Sequence, residues 1–264
     1  MSGEQPASSG LRERGSGMGR DQSPGGYEGR GLHGEVVERL GRRIVGGELP
    51  EGHTLDVVAM EHEMDVSRTV VRESLKVLKA KGLVDARPKR GTFIRPRAEW
   101  RLLDPDVVRW QFEDRSDSQF LDDLAEVRAI VEPASARLAA VRRDDSDIAA
   151  MQAALDQMAL AAAGEGEAVT ADLAFHRALL GATHNELLVR MEVVLGPGLA
   201  ARDRLVHGAM SDDDPTPAHA AVLDAICTGD AEAAALAAGA LLAKSTTDIA
   251  LARASEATNL LEAQ

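Results

Sequence analysis

The sequence predicts two architectures in one chain of 264 residues, a small α+β module near the N-terminus and an all-α helical bundle behind it. Three observations predict this. Residues 32–98 mix helical periods with strand alternation around a Pro/Gly turn. From Leu102 onward alanine takes over, with 39 of the chain's 44 alanines and few β-branched runs. Charge divides at the same place: residues 31–101 carry 14 Lys and Arg against 11 Asp and Glu, whereas residues 102–264 carry 12 against 28. Within the module, residues 66–101 hold 11 basic and 3 acidic side chains. An acidic body joined to a basic module suits a protein that meets nucleic acid through one part only; a solvated charged face would give the same counts. One cysteine, Cys227, excludes an intramolecular disulfide framework and a cysteine-based zinc cluster. No run approaches 18 apolar residues, which predicts no membrane span. The absence of an N-terminal apolar segment predicts no secretion. Aromatic residues at 3% are too few for a base-stacking surface.

Along the chain, 16 of the first 31 residues are Gly, Ser or Pro without hydrophobic period, which predicts a disordered tail over 1–30. A helix over about 34–45 places Val36, Val37, Leu40 and Ile44 on one stripe and stops at Gly46-Gly47. After a turn at Pro50-Glu51-Gly52, Asp56 caps a short helix to Met64. Asp65-Val66 turns the chain, and Ser67 caps a third helix ending at Lys81-Gly82. There Val71, Leu75 and Leu78 fall on one face, while Arg68, Arg72, Lys76 and Lys79 line another. Val84–Arg87 and Thr92–Ile94 flank a basic turn, Pro88-Lys89-Arg90-Gly91, and read as a hairpin.

Helix, helix, basic helix, basic hairpin is the winged helix-turn-helix layout over 31–98, with the helix-turn-helix at about 57–76. Its third helix enters the major groove of double-stranded DNA and its wing grips phosphates. Ser67 and Thr69 hydroxyls suit phosphates or bases, and the Arg68 and Arg72 forks match guanine O6/N7. Lys76, Lys89, Arg90, Gly91 and Thr92 complete the expected DNA face. The competing reading is a surface helix with a solvated basic stripe. Residues 99–115 read as a linker, and the stretch from about Ile94 to Asp106 is expected to carry domain reorientation. Residues 116–264 read as the bundle: six or seven helices, no strand, with punctuation at Glu132-Pro133, Asp144-Asp145-Ser146, Gly164-Glu165-Gly166, Gly196-Pro197-Gly198 and 212–217.

Val66-Ser67-Arg68-Thr69-Val70-Val71-Arg72-Glu73-Ser74-Leu75, followed by Leu78, Gly82-Leu83-Val84 and Gly91-Thr92, resembles the DNA-binding domain of GntR-type bacterial regulators. The resemblance implies that Ser67, Arg68, Thr69 and Arg72 contact operator DNA. It also places Val58 where the family usually has an arginine, so that base contact is missing. Leu124–Arg128, Glu132-Pro133, Ala136–Ala140, Asp172–His176 and His219–Ile226 with Gly229-Asp230 resemble the FCD effector domain of the FadR subfamily. Asp172 and His176, four apart, project from one helix face and can share a metal ion. The resemblance adds His219 as a third ligand of a divalent ion (zinc, nickel or manganese) and puts Leu241 where the fourth ligand usually stands. Neither His184 nor His207 matches that position.

Arg128, among Val127, Ile130 and Val131, suits a carboxylate; the competing reading pairs it with Glu132 at i+4. The resemblance implies a small carboxylate effector held by Arg128, Asp172, His176 and His219. Trp100–Trp110 resembles the linker of sugar-acid regulators of the galactonate or gluconate type. Together these readings imply a cytoplasmic, homodimeric, ligand-responsive regulator and no enzyme. It would be a repressor released from a palindromic operator by a sugar acid, or else an activator answering lactate or a dicarboxylate. The rival from another class is a metal-dependent hydrolase or lyase built on Asp172, His176 and His219, against which stands the lack of a general base or nucleophile beside them.

Overall fold

Val36, Val37, Leu40 and Ile44 are all buried on one side of α1 (Leu32–Val45), where they meet Val71, Leu75 and Leu78 of α3 (Arg68–Ala80). The structure is a computed structural model, which describes residues 31–113, 118–209 and 214–262; the tail expected over 1–30 lies outside the described residues. Between α1 and α3 runs α2 (Val57–Met64), whose first turn is closed by the Asp56 carboxylate accepting from Val58 N at 2.8 Å and Ala59 N at 3.2 Å. Asp65 takes the left-handed conformation at φ 51° and turns the chain. Ser67 Oγ then accepts from Val70 N and starts α3.

The wing is β2 (Val84–Arg87) paired antiparallel with β3 (Gly91–Ile94), Val84 opposite Ile94 and Arg87 opposite Gly91. A two-residue strand, β1 (Thr54–Leu55), adds to the far edge of β3, giving the order β1-β3-β2. Two residues are too short for any alternation to show in the sequence; β1 exists because β3 offers it a partner.

Residues 97–113 are folded rather than extended. A single turn of 3-10 helix at Arg97–Glu99 precedes α4 (Pro105–Glu113). One face of α4 sends Val107 and Trp110 into the core of the winged module, and the other sends Val108 and Phe112 into a separate core with Leu124, Leu180 and Leu195. A Cβ at Gly41 would lie 2.4 Å from the Trp110 ring, so the absence of a side chain there lets α1 and α4 touch. Trp110 Nε1 donates to Glu38 at 3.0 Å, and Arg109 pairs with Glu38 as well. Buried Lys81 reaches Asp104 at 2.8 Å and Asp106 at 2.5 Å. Burial would lower its pKa, yet the two carboxylates hold it above the ordinary lysine value.

Seven helices follow among the described residues, and no strand: α5 (Ser118–Arg142), α6 (Asp145–Ala162), α7 (Ala168–Gly181), α8 (Glu186–Arg190), α9 (Glu192–Ala209), α10 (Thr216–Thr228) and α11 (Ala231–Glu262). Half of their main core is alanine, with Ala136, Ala139, Ala154, Ala171, Ala234 and Ala238 buried between Leu, Met and Phe side chains. Small residues bring helix axes close, which is how a chain with 3% aromatics fills a bundle. By length and composition the stretch Ala231–Ser255 of α11 is apolar enough to cross a membrane. Here it packs on α5, α9 and α10.

Two punctuation marks read from the sequence do not break helices. Pro133 lies inside α5 and Pro197 inside α9. A proline in a helix interior removes one hydrogen bond, a cost that packing of both flanking turns offsets. Gly198 is a contact rather than a stop: a Cβ there would lie 1.9 Å from Leu124 Cδ2 and 2.9 Å from Phe112.

Candidate functional site

Two groups of polar side chains stand apart, one exposed and cationic, the other buried and mixed. Because Val71, Ser74, Leu75 and Leu78 point inward, the 3.6-residue period forces Arg68, Thr69, Arg72 and Lys76 outward, with Ser67 at the helix start; all five are exposed. Arg72 makes no ion pair among the described residues. Arg68 Nε lies 3.9 Å from Glu61, and Lys76 pairs with Glu73 at 2.7 Å. At the wing, Lys89 stands at the turn with a left-handed backbone, φ 65°. Arg90, exposed at the wing, stacks its guanidinium carbon 3.7 Å from the Phe93 ring centroid and donates from Nη2 to Gly52 O. Arg87, not singled out from the sequence, lies 5.4 Å from the same ring. Gly91 and Thr92 open β3 beside them. Val58, at the usual arginine position, is an exposed apolar side chain.

The buried group gathers α5, α7 and α10. Asp172 and His176 project from one face of α7, and His219 comes from α10; a ligand atom from each lies within 4.8 Å of the others. His219 Nδ1 lies 2.9 Å from Pro215 O, an acceptor, so Nδ1 carries a proton and Nε2 is the nitrogen turned towards Asp172. That Nε2 lies 3.1 Å from Asp172 Oδ1 without hydrogen-bond geometry. His176 turns Nδ1 towards Glu132 Oε2 at 3.0 Å and Nε2 towards Asp172 Oδ2 at 3.7 Å. Two imidazole nitrogens and a carboxylate converge, each ring backed on its other side by an oxygen, and this donor set fits a divalent ion. Leu241 belongs to the apolar core and offers no ligand. His184 is distant, bonded to Asp147 at 2.7 Å in the cap of α6; the side chain of His207 lies outside the described residues.

Glu132 is the residue that sequence reading gave too small a part. Its carboxylate accepts from Arg128 Nε at 2.6 Å and faces His176, all three buried. Burial would push this carboxyl up, but the charges of His176 and Arg128 hold it well below the usual carboxylate range. Burial would likewise lower His176, and Glu132 and Asp172 raise it against that. Arg128 is thus paired with a carboxylate of the protein's own, Glu132, at the i+4 position. Nη2 of Arg128 also lies 3.5 Å from His176 Nε2, which links the ion pair to the metal-type cluster.

Residues 123–244 match the FCD domain, and residues 32–94 match the bacterial regulatory proteins of the gntR family. The galactonate operon transcriptional repressor of Escherichia coli (strain K12) is 36% identical over 217 residues, covering 80% of this chain and 93% of that protein. The chain belongs to the gntR family. The Glc operon transcriptional activator of the same organism is 29% identical over 161 residues, 58% of this chain and 61% of its own. Among solved structures, the one described by the words "Lar controls the expression of the Listeria monocytogenes agr system and mediates virulence" superposes with a TM-score of 0.55 at 15% identity. It covers 84% of this chain and 98% of its own, and it shares the fold. The gntR match spans α1 to β3, and the FCD match runs from within α5 into α11. The protein is a DNA-binding transcriptional regulator, as the family and these relatives are.

Proposed function

We propose that this gntR regulator is a repressor whose homodimer grips a palindromic operator with two winged helices and releases it when a small carboxylic acid, galactonate or gluconate, binds the FCD bundle. The observation that carries the DNA half is the exposed row Ser67, Arg68, Thr69, Arg72 and Lys76 on one face of α3, together with the exposed Lys89 turn of the wing. Arg68 and Arg72 read base edges; Ser67, Thr69, Lys76, Lys89, Arg90, Gly91 and Thr92 hold the backbone, with Arg90 first leaving its stack on Phe93. The repressor reading leans on the galactonate relative, which aligns over nearly its whole length.

In the bundle, Asp172, His176 and His219 would hold a divalent ion, zinc, nickel or manganese, which when bound offers open positions to a carboxylate. Glu132 orients His176, Pro215 O orients His219, and Arg128 adds positive charge beside them. Ligand binding changes operator affinity only through unequal affinity for DNA-competent and incompetent arrangements. The helix α4, embedded in both cores, carries that difference. Fluorescence anisotropy tests the reading, with a palindromic fragment from upstream of the gene against scrambled DNA at fixed salt, with and without galactonate and gluconate. Tight specific binding that weakens with either acid is expected. Equal affinity for both DNAs, or specific affinity unmoved by any small carboxylate, would overturn it; affinity that rises with ligand would make the protein an activator.

A further inference from the structure

The helix that precedes α3 carries one side chain unlike the rest of the DNA face. Val58 on α2 is 47% exposed, and among the described residues from 33 to 102 no other Val, Leu, Ile, Met, Phe or Trp is exposed. A single exposed valine is ordinary on a protein surface. What sets this one apart is where it stands.

Met60 is buried, and Val57 and Met64 pack against the winged core, so these three mark the inner side of α2. Glu63 accepts from Arg39 Nη2 at 3.1 Å and from Arg43 Nη1 at 2.9 Å, which turns its side of the helix towards α1. Glu61 turns the other way, with Oε1 3.9 Å from Arg68 Nε at the start of α3. At 3.6 residues per turn, Val58 stands roughly 60° around the axis from Glu61 and roughly 140° from Glu63. It therefore lies on the α3 side, one turn before the carboxylate that approaches Arg68.

That place suits a base edge and not a phosphate. The side chain of valine has no donor. Its backbone amide is taken as well, since Asp56 accepts from Val58 N at 2.8 Å and from Ala59 N at 3.2 Å. With the Asp56 carboxylate at that amide and Glu61 one turn on, this end of α2 repels phosphate oxygens. In the major groove one base carries an apolar group on its edge: thymine, through its C5 methyl. Valine against that methyl removes apolar area from water on both sides of the contact.

We propose that Val58 is a specificity-determining residue of the DNA face, packing on the C5 methyl of one thymine in each operator half-site. The inference rests on the reading of α3 as the helix that enters the major groove. The position then holds a base contact of another kind, apolar where an arginine would donate, while Arg68 beside it suits guanine.

The experiment selects the operator from a randomised duplex library with the full-length protein. Anisotropy titrations at fixed salt then compare the selected sequence with copies in which one thymine per half-site is replaced by deoxyuridine, which lacks only the methyl. Wild type, Val58→Ala and Arg72→Ala are titrated in parallel. At one position, loss of the methyl should weaken wild-type binding about fourfold per half-site and leave Val58→Ala unmoved. Val58→Ala should keep the wild-type melting temperature, because the side chain is exposed. Selection repeated with Val58→Arg should replace that thymine by guanine. A selected sequence that Arg72→Ala binds more weakly, but in which every thymine methyl is silent, overturns this inference and leaves the reading of α3 standing. A methyl effect of equal size in wild type and Val58→Ala belongs to another side chain and overturns it too. No selected sequence at all, or one bound equally well by Arg72→Ala, overturns both.

Discussion

The two polar groups of this molecule use charge in opposite ways. On α3 the cations stand in water, Arg72 with no ion pair among the described residues, Arg68 with only a 3.9 Å approach to Glu61, and Lys76 in an exposed pair with Glu73. In the bundle, Arg128, Glu132, His176, Asp172 and His219 lie out of water and face one another, Arg128 bonded to Glu132 and both histidines turned towards carboxylates. An exposed cation keeps its attraction for whatever arrives and contributes little to stability. A buried ion network does the reverse: each member is held by the rest, so losing one leaves an uncompensated charge. The DNA face should therefore tolerate mutation and lose function, whereas the bundle cluster should lose fold.

The largest expected effect comes from breaking the buried side. Glu132→Ala should destabilise the protein by about 3–5 kcal/mol, because Arg128 and His176 remain buried without their anion; urea denaturation followed by circular dichroism measures it. The sign with pH follows from the depressed carboxyl. Its contribution is fully present above the unfolded carboxylate value near ~4.3 and is lost as pH falls through its lower folded value. The gap between wild type and variant should close in acid.

Next in size is metal. If Asp172, His176 and His219 bind zinc, an excess near 100 times its dissociation constant should stabilise the wild type by about 2.7 kcal/mol. Asp172→Asn should remove that increment, and Leu241→His should enlarge it at the same zinc concentration; thermal melts with and without chelator decide. On the exposed side, Arg72→Ala should weaken operator binding by about 1–3 kcal/mol while leaving stability within about 0.5 kcal/mol. Smallest is Lys89→Ala, which should weaken all DNA sequences alike and lower the slope of log affinity against log salt by about 1. If Arg72→Ala unfolded the protein, or Glu132→Ala left it intact, the division between the two groups would fail.

The winged module was readable because its signals are local. Asp56 and Ser67 cap helices, the 3.6 period separates Val71 and Leu75 from Arg68 and Arg72, and Pro88–Gly91 closes a hairpin. What escaped was set by partners distant in sequence. The strand β1 needs β3, Arg90 donates to Gly52 O, and Gly198 answers to Leu124 and Phe112. In the bundle, the spacing of Asp172 and His176 was legible, but their meeting with His219 rested on family resemblance. Glu132 carried a signal, four residues after Arg128, that an ordinary surface pair also gives.

The chain's two tryptophans both sit where the halves meet. Trp100 donates its Nε1 to Arg95 O at 2.9 Å, and Trp110 lies in the winged core, bonded to Glu38 and pressed against Gly41. The bundle has none of its own. Tryptophan emission from the unlabelled protein therefore comes from this junction and nowhere else. The indole of Trp110 lies beside Lys81, Arg109 and the Glu38 carboxylate, charges whose displacement shifts its spectrum. The molecule carries an optical reporter at its own joint, and a colour change on adding DNA or an acid would time the motion between its halves.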